Sequence, residues 1–353
     1  MFALSFSATA ADWTMTTFAG TGVQGYNGEG VSALAAQLNN PYGVLRGPDG
    51  AIWFCESTGH RVRRIAPDGS ITNVAGTGEP GYKADGGRAT EARLNLPHEI
   101  RFDAEGNLFI GDMANHAIRR VDKVTGIITT VAGRGGRRGY AGDGGPAKEA
   151  LLSSPHSLQF APDGQLYICD TANHVIRRMD PNTGVISTFA GSGQPGPTPD
   201  GAPIAGTPLN SPRSMDFDRE GNLWLATREG NQVFRFDLQR GTIHHVAGTG
   251  EAGFTGNGGP AREATLSGPK GIALDAQGNI WLADTESHTV RVIDAQSGRL
   301  EWVAGTGAKG DGPDGEARSS AMNRLHGIFV DASGDVYVGD SEAHRIRVLR
   351  KKH

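Results

Sequence analysis

The sequence has little cysteine, no long apolar run and no strong charge imbalance. Two cysteines, Cys55 and Cys169, occur in 353 residues, which excludes a disulfide-stapled scaffold. No apolar run approaches the roughly 18 residues that a membrane-spanning helix needs, so we expect no membrane span. The formal net charge is -4 with both signs interspersed, and this pattern does not favour nucleic acid as a partner.

Local catalytic motifs are also missing. The chain contains no G-x-S-x-G nucleophile elbow, no phosphate-cradling Walker loop and no CxxC pair. An active site, if the chain has one, must therefore be assembled from residues that lie far apart in the sequence.

Glycine, by contrast, is abundant and periodic. The chain has 53 glycines, and an Ala-Gly pair recurs with its glycine at Gly20, Gly76, Gly133, Gly191, Gly248 and Gly305. The successive intervals are 56, 57, 58, 57 and 57 residues. A period this steady indicates a repeat architecture.

Each repeat contains four short apolar segments separated by Gly, Asn or Asp turns. In the second copy they cover residues 100–102, 108–110, 117–121 and 127–131, which is typical of an antiparallel meander. Six such copies without a long apolar helix predict an all-β fold, a six-bladed β-propeller of four-stranded blades. The last copy lacks a fourth strand, so we expect residues 14–18 to complete the sixth blade and close the ring.

The domain boundaries follow from this repeat. Residues 1–11 read as the remnant of a secretory signal that ends in the A-x-A pattern at residues 8–10. Residues 12–353 then form a single propeller domain. On this basis we expect a secreted or periplasmic protein.

Recurrent strings resemble a known repeat family. NHAIRR at residues 115–120 and NHVIRR at residues 173–178 are similar to NHL repeats, and the likeness covers all six copies. In five of the copies one histidine belongs to this signature: His60, His116, His174, His288 and His344. A residue that recurs at one place in each blade indicates a structural hydrogen bond, and the same interpretation applies to Asp112, Asp170, Asp284 and Asp340.

Polar residues beside glycines also recur in the connections between blades. They are Glu29, Asp85, Asp143, Asp200, Asn257 and Asp314. Calcium is possible as a ligand of such loops, but the loops lack the alternating ligands of a calcium site. We expect these residues to shape the loops around the channel mouth.

The copies differ most at one position early in the first strand of each blade. Around the ring it is occupied by Tyr42, His98, His156, Arg213, Lys270 and His326. Three imidazoles predict a metal site in which His98, His156 and His326 bind a divalent transition metal, with zinc as the expected ion. The two cations oppose a metal, and they favour an anion pocket in which Arg213 and Lys270 hold a negatively charged substrate. An inert polar lining is the third alternative.

The strings LPHEI at residues 96–100 and SPHSL at residues 154–158 resemble the zinc-binding strings of peptidyl-α-hydroxyglycine α-amidating lyase, a six-bladed propeller of the NHL family. The resemblance implies a catalytic arginine after the second strand of the fourth blade, where this chain has Arg228. It also matches Glu99 to an acidic residue of the lyase, and Tyr42 could replace the lyase's tyrosine. The lyase has its histidines on the second, fourth and sixth blades, whereas this chain has them on the second, third and sixth.

The sequence therefore predicts a metal-dependent lyase or hydrolase of a small acidic or peptide-derived substrate. Arg228, Tyr42 and Glu99 are the catalytic candidates, and Arg213, Lys270 and Glu56 are the candidates for substrate binding. The alternative is a non-catalytic scaffold that binds a protein or glycan partner on its loop face. A calcium-dependent lactonase of the gluconolactonase type is a further option, although that chemistry needs acidic and amide ligands in the channel.

Overall fold

The structure, a computed structural model, describes residues 13–83 and 85–352. Its strands form six antiparallel sheets, which are the blades of the propeller. The predicted signal remnant, residues 1–11, lies outside the described residues. No helix of the described part is long and apolar enough to cross a membrane.

The strands, in chain order, are as follows. Strand β1 (Trp13–Ala19) belongs to the last blade. Blade one contains β2 (Pro41–Arg46), β3 (Ile52–Glu56), β4 (Arg61–Ile65) and β5 (Ile71–Ala75). Blade two contains β6 (Pro97–Phe102), β7 (Leu108–Asp112), β8 (Ala117–Val121) and β9 (Ile128–Ala132). Blade three contains β10 (Gly145–Pro146), β11 (Pro155–Phe160), β12 (Leu166–Asp170), β13 (Val175–Met179) and β14 (Val185–Ala190).

Blade four contains β15 (Ala202–Pro203), β16 (Pro212–Phe217), β17 (Leu223–Thr227), β18 (Gln232–Asp237) and β19 (Thr242–Ala247). Blade five contains β20 (Gly259–Pro260), β21 (Pro269–Leu274), β22 (Ile280–Asp284), β23 (Thr289–Ile293) and β24 (Arg299–Ala304). Blade six contains β25 (Gly315–Glu316), β26 (Ile328–Val330), β27 (Val336–Asp340), β28 (Arg345–Lys351) and β1. Three-residue 3-10 helices connect some of these strands: Ala33–Ala35, Ala89–Glu91, Met113–Asn115, Ala147–Glu149, Thr171–Asn173, Ala261–Glu263, Thr285–Ser287, Ala317–Ser319 and Ser341–Ala343.

The innermost strands contact one another in a closed ring. Contacts run from β2 to β6, β11, β16, β21 and β26, and β26 returns to β2. The predicted six-bladed propeller is therefore confirmed. The predicted closure is confirmed too, because β1 pairs antiparallel with β28 along most of its length. Arg347 reinforces this seam, since its Nη1 donates to Thr17 Oγ1 at 2.8 Å.

The connections between blades take a different course from the predicted one. In four blades the connection adds a two-residue strand at the outer edge of the sheet, as β10 does beside β14. It thereby covers an edge that would otherwise expose unpaired backbone groups. The loop carboxylates accordingly pair with arginines of the third strands where these are present, as Asp85 does with Arg119 at 3.2 Å and Asp143 with Arg177 at 2.6 Å, whereas Asp200 of blade four pairs with Arg262. The prediction that they shape the channel mouth is wrong.

Apolar side chains fill the spaces between neighbouring blades. One cluster joins Cys55 and Val62 of blade one to Ile100 and Ile110 of blade two, and each of the other interfaces has a similar cluster. The two cysteines are buried and free, as small apolar residues of this core would be.

The recurring Ala-Gly pair has a steric cause. Gly133 has φ +86°, and a Cβ there would lie 2.3 Å from the carbonyl oxygen of His116. The same close approach to the residue that ends the turn after the second strand recurs at Gly20, Gly76, Gly191, Gly248 and Gly305. Only glycine fits such an approach at positive φ, so the period follows from the blade geometry.

Candidate functional site

The six divergent positions occupy one layer at one end of the channel, where the innermost strands begin. The residue two positions before each of them has a backbone in the left-handed region, as Leu96 with φ 51° and Ser154 with φ 54° show. In five blades the residue between the two is a proline. In blades two to five the strand pairing shifts register at this position, as it does between Pro97 and Ile100. Such a bulge re-aims a side chain. We call these six residues the ring: Tyr42, His98, His156, Arg213, Lys270 and His326.

The NHL histidines fix the backbone just before the ring residues. In each case Nδ1 accepts a hydrogen bond from the backbone N–H of the left-handed residue in the next blade. His60 accepts from Leu96 at 3.2 Å, and His116 accepts from Ser154 at 3.1 Å. His174, His288 and His344 repeat the contact, and in blade four Asn231 Oδ1 replaces the imidazole. The predicted structural role is confirmed, and each bond joins two blades.

In five blades a buried carboxylate of the same blade also binds the segment that precedes the ring residue. Asp112 Oδ1 accepts from Asn95 N at 2.7 Å, while its Oδ2 pairs with buried Arg119. Asp170, Asp284 and Asp340 make equivalent contacts. Glu56 takes this place in blade one, where it accepts from Asn39 N and pairs with Arg63 at 3.2 Å. Glu56 is therefore a structural residue, and it is not among the side chains that the ring brings together.

Blade four replaces both members of this ion pair. Thr227 stands where the other blades have the carboxylate, and Phe234 stands where they have the arginine. Phe234 packs in the core between blades three and four. Because both partners are replaced together, no buried charge is left without its partner.

The ring residues contact one another across the channel. Tyr42 stacks on His326 with a centroid distance of 3.9 Å and meets His98 edge to face at 4.7 Å. His98 in turn meets His156 edge to face at 4.8 Å. Arg213 Nη2 lies 2.6 Å from His98 Nε2. The predicted convergence of residues spread over almost 300 positions of sequence is therefore observed.

Arg213 is the most unusual member of the ring. It is 4% exposed, and its Nε has no hydrogen-bond partner. No carboxylate of the described residues lies within ion-pair distance of it, whereas the other buried arginines are paired. Burial lowers the pKa of Arg213 to about 10. At neutral pH this side chain is a buried cation without a counter-ion.

The three ring histidines are neutral at pH 7. Burial lowers their pKa values well below the usual range, and the charges of Arg213 and Lys270 lower them further. The Nδ1 of His156 lies 2.8 Å from Ser154 O, and that of His326 lies 2.8 Å from Arg324 O. A carbonyl accepts only, so these contacts assign the proton to Nδ1 and leave each Nε2 as a free acceptor.

Lys270 is anchored by a second layer of charges above the ring. Its Nζ lies 2.6 Å from Glu286 Oε1, and Arg324 Nη2 lies 2.8 Å from the same oxygen. Arg324 Nη1 also pairs with Glu342 at 3.0 Å. Burial lowers the pKa of Lys270 to about 8. Glu286, Arg324 and Glu342 are not among the residues predicted from the sequence, although the divergence of the copies at these positions was the available signal.

The remaining catalytic candidates lie on opposite sides of the ring layer. Glu99 lies below it, 2.5 Å from Arg101 Nη1, and burial raises its pKa. Arg228 lies above it in an exposed turn, paired with Glu229 at 3.2 Å, and its charge lowers the pKa of His156. Only Arg228 and Tyr42 of the three are therefore placed towards the loop face.

The geometry does not fit a three-histidine metal site. In the described residues no three His, Cys, Asp or Glu side chains are arranged to hold an ion. His98 Nε2 is engaged by Arg213, and two cations lie beside the imidazoles, which opposes a divalent charge. His156 and His326 alone have the anchored Nδ1 and free Nε2 that ligands require. Zinc or calcium binding stays a prediction.

Two cavities lie at the other end of the channel. One, of about 170 Å³, is lined by Arg101, Gln159 and Asp216, and the other, of about 430 Å³, lies among the strand-connecting turns near Asp218 and Asp275. The buried and half-buried carboxylates and amide that line these cavities have partners: Gln159 donates to Asp216, and Asp218 and Asp275 accept from tryptophan N–H groups. Arg219 and Glu220 of the larger cavity are exposed. The ring carries the buried guanidinium without a counter-ion and the unpaired Nδ1 of His98, so we place the candidate site there.

The closed ring of six blades with a polar, cation-bearing layer at its loop face defines a six-bladed β-propeller with a candidate small-molecule site. Residues 75–255, just over half of the chain, match the family model described as SMP-30/Gluconolactonase/LRE-like region. Residues 266–293 and 322–349 match the NHL repeat. The chain belongs to the SMP-30/gluconolactonase/LRE-like family and is built of NHL repeats.

Curated relatives are longer than this chain. SUPPRESSOR OF QUENCHING 1 of Arabidopsis thaliana is 27% identical over 292 residues, which are 79% of this chain and 27% of the relative. NHL repeat-containing protein 2 of Gallus gallus is 28% identical over 318 residues, 82% of this chain and 43% of the relative. The chain thus spans less than half the length of either protein.

A solved gluconolactonase from Xanthomonas campestris superposes with a TM-score of 0.62 at 16% identity, covering 98% of this chain and 93% of that one. At this identity the likeness shows the fold alone. None of these matches shows the resemblance to the amidating lyase, which rests on the Pro-His strings.

Proposed function

We propose that the ring binds a small anionic substrate and that the protein acts on it as a hydrolase or lyase. The observation that carries the proposal is the unpaired, buried guanidinium of Arg213. Leaving a buried charge without a partner costs several kcal/mol. A ligand carboxylate, sulfate or phosphate would supply the missing counter-ion, with Arg213 exchanging His98 for a bidentate contact.

The neighbouring groups supply acid-base chemistry. His156 and His326 each present a neutral Nε2 that can accept a proton from water or from a substrate carbon. Arg213 and Lys270 would stabilise an oxyanion that forms during hydrolysis or elimination. Tyr42 is half-buried against His326, and Arg228 carries its charge above the ring; both can orient the substrate. Membership of a family that includes gluconolactonases supports a hydrolase.

Two other functions rest on particular observations. Zinc binding is favoured by the anchored Nδ1 atoms of His156 and His326. It is opposed by Arg213, because the positive charge of its guanidinium repels a divalent cation. If bound, a divalent ion would polarise a substrate oxygen or activate water. A non-catalytic scaffold that binds a protein or glycan on the loop face is favoured by the NHL repeats. Separately, the composition of residues 1–11 favours export of the protein.

Binding of small anions to Arg213→Met tests the proposal. Acetate, sulfate and phosphate are titrated calorimetrically into untagged protein, with Arg219→Met, an exposed arginine near the opposite mouth, as the charge-matched control. At least one anion should bind the wild type and the control alike and bind Arg213→Met at least tenfold more weakly. Without ligand, Arg213→Met should unfold at the same temperature as the wild type or a higher one, because it removes a buried charge.

Anion affinity that is unaltered in Arg213→Met contradicts the proposal, as does a wild type that binds none of these ions and turns over no anionic ester or lactone. Metal analysis of the same preparations decides on zinc. About one equivalent, absent when His98, His156 and His326 are all changed to Ala, would establish the metal site instead.

A further inference from the structure

We infer that the substrate is amphipathic, a small monoanion whose uncharged body lies over blades one to three while its acidic group is held at blades four and five. The inference rests on the proposed function and adds the class of substrate. It follows from the unequal distribution of charge around the mouth, which the six-fold repeat makes visible because equivalent positions can be compared directly.

The ring itself is divided into two sectors. Blades six, one, two and three contribute a contiguous set of neutral rings, in which Tyr42 contacts His326 and His98, and His98 contacts His156. Blades four and five contribute the cations Arg213, which has no counter-ion, and Lys270, which is paired with Glu286. An anion is therefore attracted to one side of the ring, and the other side offers aromatic faces.

The layer above the ring is divided along nearly the same line. The second residue after the structural carboxylate position is charged in blades four to six, where Glu229, Glu286 and Glu342 occur. The equivalent residues of blades one to three are Thr58, Ala114 and Ala172. Glu286 and Glu342 reach over the ring, since one contacts Lys270 and both contact Arg324.

The residue before the first strand shows the same asymmetry. Arg324, with φ 49°, bridges the turns of blades five and six. Leu96, with φ 51°, is its equivalent between blades one and two. The residues there that correspond to Glu286 and Glu342 are Thr58 and Ala114, and neither is charged. A charged or strongly hydrated substrate body would find no charged partner in these two turns, whereas an apolar one would bury surface against Leu96 and the alanines of blades two and three.

A series of straight-chain acids tests the inference. Acetate, butanoate and hexanoate share one carboxylate and differ only in the apolar body, and succinate adds a second charge at the far end. Buried methylenes should raise affinity by up to about fourfold each. We expect hexanoate to bind the wild type at least tenfold more tightly than acetate, and succinate to bind no better than acetate.

Ala114→Gln and Ala172→Gln place in the apolar sector side chains that match in size the glutamates of blades five and six. The fold accommodates such side chains at this position, as Glu286 and Glu342 demonstrate. Both variants should bind acetate within threefold of the wild type and lose most of the preference for hexanoate. The control is Val124→Gln, at a residue that is 83% exposed in the outer turn of blade two, and it should keep the preference.

The outcomes separate the inference from the proposed function. Equal affinity for acetate and hexanoate, or a preference that survives in both glutamine variants, overturns the amphipathic substrate even when binding depends on Arg213. Acetate and hexanoate binding that persists in Arg213→Met overturns the proposed function instead. A wild type that binds none of the acids overturns the inference, and it overturns the proposed function as well if sulfate and phosphate also fail to bind and no anionic ester or lactone is turned over.

Discussion

Lys270 gives the candidate site a pH dependence that follows from its surroundings. The groups facing it are Glu286, which pairs with it, and Arg213 and Arg324, which oppose its charge. Burial lowers its pKa from 10.5 to about 8, so the ammonium is present at neutral pH and is lost in mildly alkaline solution. The cation that helps to hold an anion thus titrates just above physiological pH.

We therefore predict that anion affinity falls as the pH rises through about 8. The stability of the ligand-free protein should respond in the opposite direction. Between the folded pKa of about 8 and the ordinary value of 10.5 the unfolded chain binds more protons than the folded one, so this group's contribution to stability rises with pH. Calorimetric titrations and thermal unfolding from pH 6.5 to pH 9.5 measure the two trends, with Lys270→Met as the reference. Identical pH profiles in the variant and the wild type would contradict the assignment.

At the scale of single elements, a buried ion pair between the second and third strands supports five of the six blades. Arg291 is 0% exposed, and Asp284, at 3.2 Å, is the only carboxylate within ion-pair distance of it in the described residues. Arg177 is equally buried, but it pairs with the loop carboxylate of Asp143 as well as with Asp170. The two blades therefore differ in how much depends on a single aspartate.

Asp284→Ala should accordingly lower the free energy of unfolding by about 3–5 kcal/mol, the usual cost of leaving a buried charge unpaired. Asp170→Ala should cost clearly less, because Asp143 remains beside Arg177. Chemical denaturation of both variants, with the exposed Glu105→Ala as the neutral control, measures the difference. Equal losses in the two aspartate variants would indicate that the loop carboxylates contribute nothing.

The elements also show what could be predicted from the sequence. Strand positions and the ring were predictable because turn glycines and the residues that begin each first strand recur at a fixed period. The contact between His98 and Arg213 was not, since it joins residues 115 positions apart across the channel. Glu56 was assigned to the substrate because its longer side chain breaks the aspartate pattern, yet it remakes the same pair with Arg63. The loop carboxylates were misplaced because the sequence does not reveal that the connections run along the outer edges of the blades.

At the scale of the whole molecule, closure through β1 makes the ring one cooperative unit. Met15 of β1 is 0% exposed and packs with Leu325, Val338 and Leu349 between blades five and six. Because every blade buries its faces against two neighbours, loosening this seam exposes two interfaces at once, and the remaining blades lose the constraint of a closed ring.

Met15→Ala should therefore destabilise the entire propeller by about 2–5 kcal/mol in a single transition. Hydrogen exchange followed by mass spectrometry can localise the effect, because β17 belongs to blade four, which is separated from the seam in blade six by blade five. Because opening of the whole ring exposes all blades, Met15→Ala should accelerate exchange nearly equally in β17 and in β28. The control is Thr14→Ala, at a half-buried residue of β1, and it should change exchange little in either strand. Acceleration confined to β1 and β28 would mean that the last blade frays independently, in which case the ring does not depend on its seam.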